Sequence, residues 1–143
     1  MLGIIFSIVA GVCMSFQGIF NTRLGEKIGL WETNLIVQGI GFIITLLIVF
    51  IIGNGNIKNV MHANKIYLLG GVLGVIIIYT VMRGIKDLGA TYSISTILVA
   101  QLTAAALIDA FGLFGSEQIK FGITKIIGVI VMVIGIIIFK WKG

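Results

Sequence analysis

Five long apolar runs, separated by short polar connections, limit what this chain can fold into more than any other feature. They cover about residues 2–20, 34–53, 66–82, 91–113 and 121–139, with at most one charged side chain in any of them. Runs of roughly 17–25 apolar residues match the hydrocarbon core of a bilayer. Inside that core every backbone polar group needs an internal partner, which leaves only helices and closed barrels. A barrel strand alternates apolar and polar residues, whereas these runs are continuously apolar. The reading is all-α and integral to the membrane: one domain over residues 1–143 with five transmembrane helices.

Composition closes off the competing classes. Of 143 residues, 59% are hydrophobic and only 10% charged, against roughly 25% charged in a soluble domain. A soluble enzyme is excluded on that ground. No span carries the nucleophile–base pair or converging ligands that catalysis or a metal requires, so no cofactor and no metal is expected. The net charge of +5 comes from ten basic residues scattered singly between the runs. Nucleic-acid binding needs them clustered on one face. They read as membrane-flank anchors, together with Trp31, Tyr67 and Trp141 at the span ends. A lone Cys13 makes no disulfide framework, and His62 reads as a loop histidine. The first run, "MLGIIFSIVAGVCMSFQGIF", lacks the basic start and A-x-A-like site of a cleaved signal, so it is read as a retained span.

The connections are "NTRLGEKIGLWET", "NGNIKNVMHANK", "RGIKDLGA" and "FGSEQIK". Five spans put Lys58, Lys65, Lys120 and Lys125 on one side, and Arg23, Lys27, Arg83, Lys86, Lys140 and Lys142 on the other. The positive-inside rule needs a clear imbalance to fix orientation. Four against six is too even, so insertion in both orientations is the expectation. An odd number of spans also places a second copy, joined head to tail, upside down. Many transporters are built from such inverted halves, with the site between them near the midplane. The expected partners are the lipid bilayer, a small-molecule substrate, and an antiparallel second copy or an oppositely oriented paired relative.

Polar side chains inside the spans are the candidate site. Ala10, Met14, Gln17 and Asn21 recur at helical spacing and share one face of the first span. Gln38 and Thr45 do the same in the second. Gln101 and Asp109 lie about 12 Å apart along the fourth helix, with Ala105 between them. Gln17, Asn21, Gln101 and Asp109 are read as pathway residues, and Met14, Gln38, Tyr79 and Tyr92 as cavity lining. The structural alternative for the amides is an interhelical hydrogen bond. For the tyrosines it is an interfacial anchor, although a tyrosine face also attracts cations. Asp109 is the only acid inside a predicted span. Low dielectric and the C-terminal end of a helix both disfavour a charged carboxylate, which suits a proton site. Pairing with Lys120, Lys125, or an Arg23 or Arg83 arriving from a second copy would make it structural instead.

There is no proline, and there are 20 glycines. Those at Gly11, Gly18 and Gly25, at Gly70, Gly71 and Gly74, and at Gly128 and Gly135 have the spacing at which helix backbones approach closely in lipid.

Three stretches resemble a known family: "GVCMSFQGIFNTRLG", "GGVLGV" and "LGATYSISTILVAQLTAAALIDAFGLFG". They are similar to the YdcZ-type proteins, a small five-helix branch of the drug/metabolite transporter superfamily, and the resemblance covers essentially the whole chain. It implies a multi-pass protein of the bacterial inner membrane, working as a dual-topology homodimer, an oppositely oriented pair or a fused duplicate. It also implies secondary transport of a small metabolite or hydrophobic organic compound by alternating access, without supplying the substrate. The small multidrug-resistance transporters, distant cousins, carry a membrane glutamate in their first helix. The first span here has no acid, so proton coupling would fall to Asp109. The alternative function is a non-transporting assembly or regulatory membrane subunit, with the polar residues serving as interhelical glue.

Overall fold

The computed structural model describes residues 1–119 and 122–141, and these are helical almost throughout. Helix α1 runs Leu2–Ile28, α2 Leu30–Ile52, α3 Leu69–Leu88, α4 Ala90–Phe111 and α5 Ile123–Lys140. Five helices are long and apolar enough to cross a membrane, α3 counted with the turn before it. Lys120, Lys142 and Phe121, the expected start of the fifth span, lie outside the described residues.

The first and third connections are shorter than the sequence suggested. Helix α1 continues through "NTRLGEKI" and α2 begins at Leu30, so Gly29 is the entire link. Likewise α3 continues past Met82 to Leu88, and Gly89 alone joins it to α4. The reason is length. The 27 residues of α1 span about 40 Å at 1.5 Å per residue, more than a hydrocarbon core of about 30 Å. The polar last turns therefore emerge into the headgroup zone while still helical. Ion pairs along the helix support them there, Arg23 to Glu26 at 3.1 Å and Arg83 to Asp87 at 2.8 Å. Helix α1 thus does carry an acid, Glu26, beyond its expected span. At the far end α4 stops at Phe111, two residues early.

The two links share one backbone solution. Gly29 has φ 101 and ψ 153, and Gly89 has φ 81 and ψ 158, a region essentially reserved for glycine. Each glycine carbonyl accepts the first backbone bond of the next helix, from Thr33 and from Ser93, both at 3.1 Å.

The other connections are longer and self-capped. Residues Ile57–His62 and Lys65–Leu68 form two 3-10 segments. They are entered through Asn56 and Asn64, whose side-chain oxygens accept from Lys58 N and Ile66 N. After α4, Gly112 adopts the left-handed conformation and the chain folds back. Ile119 N then donates to the Asp109 carbonyl at 2.9 Å, and Gln118 Nε2 to that of Ala110 at 3.2 Å. The last carbonyls of α4 are satisfied in this way.

The chain divides into two compact units, Met1–Asp87 and Leu88–Gly143. Within the first, α1 packs on α2; within the second, α4 packs on α5. Leucine, isoleucine, valine and phenylalanine side chains are exposed along all five helices. The buried positions of the first unit are mostly small or polar: Gly18, Asn21, Thr22 and Gly25 of α1, Thr33 and Asn34 of α2, and Met82 and Ile85 of α3. This inside-out pattern belongs to a lipid solvent, where greasy side chains gain nothing from leaving the surface.

Only some of the glycines make close approaches. A Cβ at Gly18 would lie 2.9 Å from Ile85 Cδ1, and one at Gly25 2.8 Å from Leu30 Cδ2. At Gly74 the nearest atom is Gln38 Nε2 at 3.4 Å. Gly11, Gly70, Gly71, Gly128 and Gly135 have nothing within 4 Å, so their spacing does no packing inside one chain.

Candidate functional site

Glycines at 18 and 25 clear one stripe of α1, and the buried Asn21 and Thr22 lie between them on that stripe. Opposite sit Met82 and Ile85 of α3: Ile85 approaches Gly18, and Met82 Sδ lies 3.6 Å from the Cβ position of Gly25. Thr33 Oγ1 is the same distance from that position, so three helices converge there. Met82 and Thr33 are both fully buried at 0% exposure. The hydroxyls are already committed. Thr22 Oγ1 donates to the Gly18 carbonyl at 2.7 Å and Thr33 Oγ1 to that of Gly29 at 2.8 Å.

Helices α2 and α3 are joined along an antiparallel seam. Trp31 stacks on Tyr79 with ring centroids 4.3 Å apart. One turn further along α2, Asn34 Nδ2 donates to the Val75 carbonyl at 2.8 Å. One more turn brings Gln38 beside Gly74. The Asn34 amide cannot be reversed, because exchanging its ends would set two oxygens together at Val75. Its other end is different. Asn34 is 2% exposed, and among the described residues its Oδ1 has no hydrogen-bond partner.

The sequence-predicted residues of this unit divide accordingly. Asn21 is buried at the junction, whereas Met14 and Gln17, nearer the N-terminus of α1, are exposed. Gln38 and Tyr79 are half-buried in the α2–α3 seam, Tyr79 beneath Trp31. Thr22, Thr33, Asn34 and Met82 were missed. All four stood in segments read as connections or at span edges. The legible signal was Asn34 with Gln38, an i, i+4 amide pair on α2.

In the second unit Gln101 is exposed and Asp109 is half-buried at the C-terminal end of α4. The backbone carbonyl of Asp109 holds the fold-back loop through Gly112 N and Ile119 N. The anticipated pairing of Asp109 with Lys125 is absent: among the described residues the ion pairs are Arg23–Glu26 and Arg83–Asp87. The other anticipated partner, Lys120, lies outside the described residues. Tyr92 does meet a cation, the chain's own Lys140, whose Nζ sits 4.3 Å from the ring centroid. With Ile137 and Trp141 they line a shallow groove, an interfacial cluster of aromatic and lysine side chains.

The profile of the family described as "Putative inner membrane exporter, YdcZ" matches residues 2–138. The chain belongs to this family. The match takes in all of α1 to α4 and nearly all of α5, and this YdcZ-family chain is a multi-pass protein of the inner membrane. No curated protein and no solved structure matches it.

Proposed function

We propose that this YdcZ-family protein is a secondary transporter working as an antiparallel pair of chains. It moves a small metabolite or hydrophobic organic compound across the inner membrane by alternating access. The observation that carries this reading is the buried polar junction of Asn21, Thr33 and Asn34 inside an otherwise apolar, outward-facing helix set. Buried amides are expensive, and polar side chains buried between membrane helices tend to mark solute pathways. Gln17 and Gln101 support the pairing. Both are exposed on the single chain, where lipid would leave their donors and acceptors unsatisfied, and a second copy would cover them. The even distribution of basic residues supports opposite orientations. Asp109, without an ion pair to Lys125, is the proton or cation site of the pathway, which runs through Gln17, Asn21, Gln101 and Asp109.

The test is flux from proteoliposomes made with the purified chain and loaded with a panel of labelled neutral, cationic and anionic metabolites. Release above that from protein-free liposomes for at least one class, altered by Asp109→Asn, is the expected result. No release of any class, from protein shown to be folded, would favour a non-transporting membrane subunit.

A further inference from the structure

The face of Tyr92 that the sequence offered to a cationic substrate is already taken. Lys140 Nζ lies 4.3 Å from the ring centroid, a distance at which an aromatic face holds an ammonium. Tyr92 stands in the first turn of α4 and Lys140 ends α5, so the contact lies where both helices leave the hydrocarbon, at the depth of the headgroups. The groove lined by Tyr92, Ile137, Lys140 and Trp141 has a volume of about 360 Å³, within the range of ligand clefts. Its charge has one sign. The acids of this unit are Asp109, about 25 Å further along α4 at 1.5 Å per residue, and Glu117, in the segment beyond that end. Arg23 and Arg83 are each paired with an acid of their own helix, whereas Lys140 has no ion pair among the described residues. An ammonium has three donors and no acceptor, and the ring covers it from one side only. The apolar wall of the groove has a continuation. Ile137, Ile134 and Ile130 follow one another at spacings of three and four residues, which keeps them on one face of α5, and each is about half exposed. This strip leads from the groove toward the middle of the membrane.

We propose that the groove between the start of α4 and the end of α5 binds an anionic phospholipid. Its phosphate sits on Lys140, which Tyr92 steadies, and an acyl chain lies along Ile137, Ile134 and Ile130 beneath Trp141. Holding the lysine in advance lowers what binding must spend on ordering a long side chain. A soluble phosphate would meet the ammonium and leave the apolar strip unused, so the lipid is the occupant that uses the whole groove. All the lining residues belong to the packed α4–α5 pair, so the site travels with the chain in either orientation. It stands whether or not the protein transports a solute.

Trp141 lines the groove and reports on it once the other tryptophan is removed by Trp31→Phe, which keeps a ring against Tyr79. The purified protein is reconstituted in phosphatidylcholine bilayers. Part of the lipid is then exchanged for phosphatidylglycerol or, in parallel, phosphatidylcholine, each brominated near the top of the acyl chain so that it quenches an adjacent tryptophan. Quenching of Trp141 should show phosphatidylglycerol preferred at least about fivefold, the worth of one charged contact of about 1 kcal/mol. Lys140→Gln should bring the two lipids level. Tyr92→Leu keeps the lysine and removes what holds it, and should lower the preference about twofold or more. Added inorganic phosphate should compete no better than chloride at equal ionic strength. No preference in the parent protein, or one that survives Lys140→Gln, would overturn the proposal. A preference indifferent to Tyr92→Leu would mean diffuse attraction to a basic surface, and one abolished by inorganic phosphate alone a phosphate site without a lipid; either overturns it. If Tyr92→Leu fails to fold, Lys86→Gln takes its place, an exposed lysine that does not line the groove. Diffuse attraction makes the two lysine losses alike, whereas the groove makes only Lys140 count.

Discussion

Asp109→Asn tests whether the carboxylate acts as chemistry or as architecture, because it keeps the side chain's size and removes its charge. Breaking a buried ion pair by removing one partner costs roughly 3–5 kcal/mol. Asp109 has no ion pair with Lys125, so the variant should melt within a few degrees of the parent while pH-driven flux in proteoliposomes is lost. A large fall in melting temperature would instead mean that a cation leans on this carboxylate. Gly18 is a second residue whose role the contacts define. Its Cβ position lies 2.9 Å from Ile85 and 3.2 Å from Val81, so Gly18→Leu should wedge α1 off α3. Overpacking of this kind costs about 1–3 kcal/mol or more, read as a lowered melting temperature in detergent. Gly70→Leu, with open space around it, should leave the melting temperature of the single chain alone, and any effect of it on dimer fraction would locate a face between copies. Spacing in the sequence treated these glycines as equals. Only the structure tells which of them has a neighbour.

At the scale of elements, the five spans were legible because a bilayer fixes both the length and the character of a crossing segment. The ends were not. Arg23, Glu26, Lys27, Arg83 and Asp87 have the composition of a loop, and headgroup-zone helix turns use the same residues. Asn34 was hidden for a related reason: it stood at the predicted edge of a span, where water would satisfy an amide without need of a partner. The shared backbone conformation of Gly29 and Gly89 was also out of sight, since the residues around the two glycines have little in common beyond Arg23 and Arg83. The joints themselves give a prediction. Alanine at Gly29 or Gly89 faces a backbone region costing of order 1–3 kcal/mol. The two losses should be similar, because the one neighbour a Cβ at Gly29 meets is the carboxylate end of the exposed, flexible Glu32, which can swing away, and Gly89 has open space. Thermal melts of the two variants, compared with a Gly39→Ala control in open helix surface, measure both.

For the whole molecule, the near-even placement of Lys and Arg predicts a mixed population in the membrane. Complementary reporters fused to the C-terminus, each active on one side only, should both give signal, and two or three lysines added to one side should shift the ratio. A single strong orientation would leave a parallel dimer or an oppositely oriented paired relative in place of a self-inverted dimer. The single-residue joint at Gly29 bears on how that choice is made during synthesis. With only Gly29 between α1 and α2, which pack on each other, neither helix can settle in the membrane while the other waits. The ribosome therefore delivers these two helices as one hairpin, and the charges around the joint cross together or stay behind together. Their orientation is then decided in one indivisible step, and a lysine placed beside Gly29 carries the weight of a whole hairpin.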